Sequence, residues 1–238
     1  MYHDVVEGSE DVYAIEPQRF RDHLDAIGRP PAPVDACSSG DWLITFDDGG
    51  ASALAVAEEL ARRSWRGHFF IATDMVGRDG YLDWDGVRAV AALGHVIGSH
   101  SCSHPDRMAD LSYEQLLDEW TRSGAVLAEV LDGPVRTASV PGGLYSPSVG
   151  RAAAAAGYTT LFTSLPTQRP DSVEGTRLIG RWAIRRDTGA GEAAAVAAGR
   201  ALPWARQRAA WQLRGIAKKV AGPRYESLRR ALLARKPG

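Results

Sequence analysis

The sequence has very little cysteine: Cys37 and Cys102 are its two such residues among 238. The 64 residues between them exclude the close pairing of a cysteine-based metal motif, and two cysteines exclude a disulfide framework. Free thiols are typical of proteins in a reducing cytosol. We therefore expect no disulfide and no thiolate metal site.

Long apolar runs are also missing, since none approaches the roughly 18 residues of a membrane span. The first residues, "MYHDVVEGSEDVYAIEP", contain neither the basic region nor the apolar region of a secretory signal. On these grounds the sequence predicts a cytoplasmic protein.

The charge is balanced overall but uneven along the chain. The formal net charge is −1, which gives no reason to expect a nucleic-acid partner. Residues 204–238 carry ten Lys or Arg and one acid, Glu226, so that this tail has a net charge of +9 and the rest −10. We expect two parts: a domain over 1–203, and a basic amphipathic helical tail over 204–238 packed on or beside it.

The tail reads as two helices broken at "AGP". Its apolar side contains Trp204, Trp211, Leu213, Ile216 and Val220, followed by Leu228, Leu232 and Leu233. One interpretation is that these helices dock on the domain and expose a solvated basic face. The other is a peripheral contact with anionic lipid or a lipid-linked sugar phosphate.

Short apolar runs alternate with helical stretches along the domain. Ser52 and Ser112 are predicted helix caps, the latter with Gln115 in a capping box. About seven strands are predicted, mostly followed by helices: "YHDVV", "WLITF", "GHFFIAT", "HVIGS", "VRTASV", "YTTLFTS" and "RLIGRWAIR". Strands separated by helices indicate parallel pairing, either in an open doubly wound sheet or in a closed barrel.

Polar residues follow several of these strands. Asp47 and Asp48 come after "WLITF", His100 after "HVIGS", and Pro141 after "TASV". Ligand sites in both architectures gather at the carboxyl ends of the strands. These residues are therefore expected at one rim.

His100 and His104 are four residues apart, a spacing that places both imidazoles on one face of a helical turn. The simpler alternative for an isolated pair is one exposed and one packed histidine. Together with an aspartate, however, two histidines form a set suited to a divalent ion with open positions for water and substrate. Zinc is the default expectation.

A metal ion would also explain why Asp47 and Asp48 stand side by side. The ion would offset their repulsion, with one carboxylate as a ligand and the other as a base. Gly49 and Gly50 would let the backbone turn there. The simpler alternative is a solvated strand-to-helix turn in which an aspartate faces the helix dipole.

The motifs "TFDDG" at 45–49 and "HSCSH" at 100–104 resemble the first two motifs of the polysaccharide deacetylases, the NodB-homology enzymes of carbohydrate esterase family 4. The likeness runs from about residue 2 to residue 165. It implies a deformed (β/α) barrel and metal-dependent hydrolysis of N-acetyl groups on amino sugars. By this resemblance Asp47 is the catalytic base and Asp48, His100 and His104 are the metal ligands.

The later motifs depart from the family. The third normally reads Arg-x-Pro-aromatic-Gly, whereas "SVPGG" places Ser139 at the arginine and Gly142 at the aromatic position. A backbone N–H of Gly142 would still serve an oxyanion, and Arg136, Arg181 or Arg185 would have to brace the base. The simpler alternative is that "PGG" is a plain turn.

The fourth motif lacks its Asp and Trp, and the fifth lacks the histidine that acts as general acid in the family. His3 is a candidate substitute, although a strand histidine more often has a structural role.

The predicted function is therefore a metal-dependent hydrolase that removes N-acetyl groups from an amino sugar or glycan precursor. The first alternative is a non-catalytic glycan-binding module that retains the metal site. A weaker one is an iron oxygenase that uses the same ligand set.

Overall fold

The computed structural model describes residues 1–32 and 41–221, with side chains as far as residue 212. Cys37 and the second predicted tail helix, with Leu228, Leu232 and Leu233, lie outside the described residues. The side chains of Leu213, Ile216 and Val220 do so as well. Cys102 is a buried free thiol.

Among the described residues, seven strands form one curled sheet, whose order is β1-β2-β3-β4-β5-β7-β6. The strands are β1 (Thr45–Phe46), β2 (His68–Ile71), β3 (Val96–Ser99), β4 (Thr137–Ser139), β5 (Thr160–Phe162), β6 (Asp171–Val173) and β7 (Thr176–Ile179). The predicted deformed barrel of the α/β class is confirmed. One detail differs: six strands are parallel, but β6 runs antiparallel to β7 at the edge.

Seven α-helices accompany the sheet in the described part of the chain. They are α1 (Pro17–Ile27), α2 (Ala53–Arg62), α3 (Trp84–Ala92), α4 (Tyr113–Val130), α5 (Pro147–Ala155), α6 (Ala190–Ala197) and α7 (Ala201–Ala221). No helix among the described residues is long and apolar enough to cross a bilayer.

The capping predictions had different outcomes. The capping box of Ser112 and Gln115 is present at the start of α4. Ser52 lies before α2 but makes no cap hydrogen bond. Its hydroxyl instead donates to Asp4 Oδ1 at 2.9 Å and accepts from the Val5 N–H, so that it ties the N-terminal segment to the loop after β1.

Side chains alternate between two cores along the strands, as the period of two requires. Phe70 of β2 packs with Phe162 of β5 and with Ile179 of β7 inside the curl of the sheet. The neighbouring Phe69 and Ile71 face the helices and join the main core. A residue two positions after one of these interior residues therefore also faces the interior, but lies nearer the carboxyl end of its strand.

The predicted first strand, "YHDVV", forms isolated bridges rather than a strand. Tyr2 N–H donates to the Thr45 carbonyl, and Asp47 N–H donates to the Tyr2 carbonyl. Met1 in turn contacts the segment after β7, because Ile184 N–H donates to its carbonyl at 2.9 Å. Residues 1–2 thus lie between β1 and residues 182–184 and place His3 beside the carboxyl end of β1.

The start of α7 contacts the body of the protein. Trp204 packs against the main core, and the Gln207 amide bonds to both backbone groups of Ala183. Farther along, Trp211 is 37% exposed. The division into two parts at residue 204 stays a prediction.

Candidate metal centre and active site

Asp47 and Asp48 lie in a sharp turn that follows β1. The backbone of Asp48 (φ 76°) and of Gly49 (φ 79°) is left-handed, which turns the two carboxylates in different directions. Asp47 is 5% exposed and continues the interior row of β1, whereas Asp48 is partly exposed. Adjacent aspartates therefore occupy separate environments.

His100 and His104 lie in the loop after β3, as the small residues between them at the end of a predicted strand indicate, and not on a helical turn. The loop brings them together because Ser101 (φ 63°) and His104 (φ 54°) both have left-handed backbones. Their ring centroids are 5.0 Å apart. The predicted pairing is therefore present, with a different backbone cause.

The two imidazoles converge on Asp48. Its Oδ1 lies 3.2 Å from Nε2 of His100 and 3.2 Å from Nε2 of His104. The three ligand atoms all lie within 4.8 Å of one another. The other ring nitrogen of His100, Nδ1, donates to the Ser139 carbonyl at 2.9 Å, which directs Nε2 at Asp48, as a hydrogen-bond donor when the ring is protonated and as a potential metal ligand when it is neutral.

These donors fit a divalent cation such as zinc. One carboxylate oxygen and two imidazole nitrogens are three of the ligands that zinc accepts, with a position left for water. In the metal-free protein, burial raises the pKa of Asp48, but the hydrogen bonds of both histidines outweigh it and lower that pKa far below its usual range. The hydrogen bond to Asp48 raises the pKa of His104.

Asp47 is held by Arg181, which follows β7 and is 5% exposed. Nη1 of Arg181 donates to Oδ1 of Asp47 at 2.6 Å, and Nη2 donates to Oδ2 at 2.8 Å. The guanidinium also donates to Thr45 Oγ1 at 3.2 Å, to Ser139 Oγ at 2.7 Å and to the Thr163 carbonyl at 3.2 Å. These five bonds match the five N–H groups of a guanidinium.

Arg181 determines the charge state of Asp47. Burial raises the pKa of this carboxyl, but the charges of Arg181 and His100 and the hydrogen bonds from Arg181 outweigh burial and lower it. Asp47 is therefore ionised at neutral pH although it is buried.

Of the three arginines considered from the sequence, the structure brings Arg181 to Asp47. Arg136 is exposed and donates to the Gly157 carbonyl. Ser139 stands where the family motif has its arginine, and its hydroxyl contacts both Arg181 and Asp47. The small side chain of Ser139 leaves room for the guanidinium of Arg181, which extends from the end of β7.

His3 lies close enough to Asp47 and Asp48 to interact with their charges. From the sequence, a structural role was the more usual expectation for this histidine. Its Nδ1 is buried and has no hydrogen-bond partner. Burial lowers the pKa of His3, while the charges of Asp47 and Asp48 oppose that shift. Its ring packs on Tyr13, with centroids 4.8 Å apart.

Gly142 lies in the turn after β4, with a left-handed backbone (φ 62°). A Cβ at this position would approach the carbonyl oxygen of Asp106 to 2.5 Å. Asp106 is two residues beyond His104, so that the turn packs on the loop that carries both histidines. Glycine is required here both by backbone conformation and by space.

Comparison with known proteins gives a family match and similar solved structures. Residues 36–161, more than half of the chain, match the family model for polysaccharide deacetylase. Three solved structures share the fold. IcaB from Ammonifex degensii is 24% identical (TM-score 0.69), over 81% of this chain and 93% of that one.

The Streptococcus pyogenes deacetylase PplD, solved in complex with acetate, is 17% identical (TM-score 0.68) over 80% of this chain and 92% of that one. BC0361, a polysaccharide deacetylase from Bacillus cereus, is 20% identical (TM-score 0.68) over 83% of this chain and 67% of that one.

Proposed function

The chain belongs to the polysaccharide deacetylase family, and on that premise we propose that it is a metal-dependent hydrolase. Its reaction would remove N-acetyl groups from an amino sugar or a glycan precursor. The observation that carries the proposal is the convergence of Asp48, His100 and His104 beside a buried, ionised Asp47.

Asp48, His100 and His104 would hold the divalent ion, with zinc the expected metal. Such an ion, when bound, would polarise the acetamide oxygen and make a water molecule more acidic. Asp47 would take the proton from the attacking water, since Arg181 keeps its carboxylate ionised and fixes its orientation. Gly142 N–H is proposed to donate to the oxyanion.

We propose His3 as the group that donates a proton to the leaving amine. Its buried Nδ1 has no partner, and its charge interacts with Asp47 and Asp48. Because burial lowers its pKa, the protonated form would be the minority at neutral pH. Replacement by glutamine is expected to lower kcat by about 10²- to 10⁴-fold while metal binding is retained.

Acetate release tests the overall proposal. The purified protein would be loaded with zinc and offered a panel of N-acetylated sugars and oligosaccharides, with D47N as the inactive control. Metal-dependent release that disappears in D47N supports the proposal. A protein that binds zinc but releases no acetate from any member of the panel contradicts it.

The alternative is a glycan-binding module without turnover. It is favoured by one observation, the missing histidine of the family's fifth motif. Sugar binding measured by calorimetry, with no acetate released over hours, would identify this function.

The cytoplasmic location stays a prediction, as does a peripheral membrane contact through α7. That contact is supported by the exposed Trp211 and by the exposed Arg208, which lies one turn before it on α7. Co-sedimentation with vesicles that contain phosphatidylserine, and not with zwitterionic vesicles, is the expected result. Equal binding to both, or to neither, would remove this part of the proposal.

A further inference from the structure

A buried carboxylate lies behind the loop that carries the two histidines. Glu119 of α4 is 9% exposed. Its Oε2 accepts from the backbone N–H groups of Cys102 and Ser103, both at 2.9 Å, and its Oε1 accepts from the Ser103 hydroxyl at 2.5 Å. All three donors lie between His100 and His104.

The loop needs such support because its backbone is unfavourable. Ser101 and His104 have left-handed conformations, which cost an L-residue about 1–2 kcal/mol each. Two hydrogen bonds to nearby serine hydroxyls support the loop locally. Ser101 N–H donates to Ser99 Oγ at 3.1 Å, and His104 N–H donates to Ser101 Oγ at 3.2 Å. Glu119 adds three hydrogen bonds from outside the loop.

The charge of Glu119 is not neutralised by an ion pair. Within the described part of the chain, no basic side chain lies within ion-pair distance of this carboxylate, although it is buried. Its partners are two amides and one hydroxyl, which stabilise an anion without cancelling its charge. A cation at the neighbouring triad would provide an opposite charge.

We propose that Glu119 is a positioning residue of the metal site. Through the backbone at 102–103 it fixes the loop so that both imidazoles are directed at Asp48 before the ion arrives, and its charge favours a cation there. This inference rests on the proposed function of the triad. It assigns a role to a residue that contacts neither the ligand atoms nor Asp47.

Zinc affinity and stability, measured together, test the proposal. The variants are E119A, which removes both hydrogen bonds and charge, and E119Q, whose amide oxygen can accept from the two backbone N–H groups. The control is Thr176→Val, because the buried Thr176 hydroxyl donates to the Tyr158 carbonyl at 2.7 Å at the start of β7, away from the loop that follows β3. Affinity is measured by chelator competition, and stability by urea unfolding without metal.

We expect E119A to bind zinc about 10- to 100-fold more weakly, as outer partners of metal ligands generally do when removed. E119Q should recover most but not all of that loss, because it keeps the two backbone hydrogen bonds and lacks the charge. If E119A does not fold, the remaining loss in E119Q still measures the effect of the charge. Thr176→Val should lose stability but keep the zinc affinity of the unchanged protein.

Two outcomes overturn the inference, and they differ in whether the proposed metal-binding function is overturned as well. Unaltered zinc affinity in E119A and E119Q, with tight binding by the unchanged protein, overturns the role of Glu119 alone. If the unchanged protein binds no zinc, the proposed function of the triad is overturned together with it.

Discussion

Replacement of Arg181 by methionine should weaken both the stability of the protein and the ionisation of its proposed base. Methionine keeps an apolar contact with Phe70 and Phe162, over whose rings the guanidinium lies at 5.6 and 5.9 Å. It removes all five hydrogen bonds and leaves the buried carboxylate of Asp47 without a counter-ion.

The magnitude follows from the burial of the pair. Removing one partner of a buried ion pair costs about 3–5 kcal/mol, which for a domain of this size corresponds to about 6–20 °C in Tm. Burial would then act on the Asp47 pKa without opposition from Arg181, so that this pKa rises. The acid limb of the kcat/KM profile should therefore move to higher pH.

Urea unfolding and the pH profile of acetate release measure these two effects. Arg136→Met is the control, since this arginine is exposed, and its loss should change stability by no more than about 0.5 kcal/mol. The double variant D47N/R181M should be more stable than the sum of the single effects by about 2–3 kcal/mol, because no buried charge is left unpaired.

The reasoning is refuted if R181M loses less than about 1 kcal/mol and the acid limb stays in place. A further variant, Ser139→Arg in the R181M background, places an arginine at the position usual in the family. Recovery of activity there would indicate that the two positions serve the same carboxylate.

Three further predictions concern other parts of the site and the core. His104→Ala should abolish stoichiometric zinc, measured by metal analysis, while the circular dichroism spectrum keeps its shape; full zinc retention would contradict the ligand set. Burial lowers the pKa of His68 to about 4, so that its stabilising effect is complete above pH 6.5 and is lost as pH falls toward 4. Stability should therefore drop by about 2 kcal/mol between pH 7 and 5 on its account, and a smaller drop in His68→Phe, followed by urea unfolding, would confirm the origin. Gly142→Ala should destabilise more than Gly175→Ala, because both backbones are left-handed but only the first Cβ meets a neighbour, the Asp106 carbonyl; equal melting temperatures would show that the contact relaxes freely.

The cluster of Asp48, His100 and His104 was predictable because local sequence determines it. Asp48 and His100 directly follow strands, and the carboxyl ends of parallel strands meet at one rim. His104 is joined to His100 by a short loop of small residues. The left-handed backbone that joins them was not predictable, because Ser101 is not a residue type that usually adopts it.

The partner of the base could not be chosen from the sequence alone. Arg136 directly precedes β4, at the amino end of that strand, whereas Arg181 and Arg185 both follow β7. The choice between the last two depends on which side chains face the interior of the sheet. Ile179 faces it, so that Arg181, two residues later, continues the same row. With the register of β7 known, alternation would have selected Arg181.

Strand β6 was missed although a local signal exists. Glu174 (φ 47°) and Gly175 (φ 82°) form the turn between β6 and β7, and two left-handed residues are typical of a two-residue hairpin. The strand itself, Asp171–Val173, is polar and largely exposed, so that hydrophobic periodicity does not indicate it.

Residues 1–2 join β1 to residues 182–184, and this connection has a consequence for how the protein folds. The Asp47–Arg181 contact spans 134 residues of sequence, and the Met1–Trp182 contact spans 181. Asp48 and His100, by comparison, are 52 residues apart. Since closing a longer loop costs more entropy, we expect a refolding chain to acquire affinity for zinc before its base is locked in place. The last event would then be the meeting of the chain's beginning with the segment after its final strand.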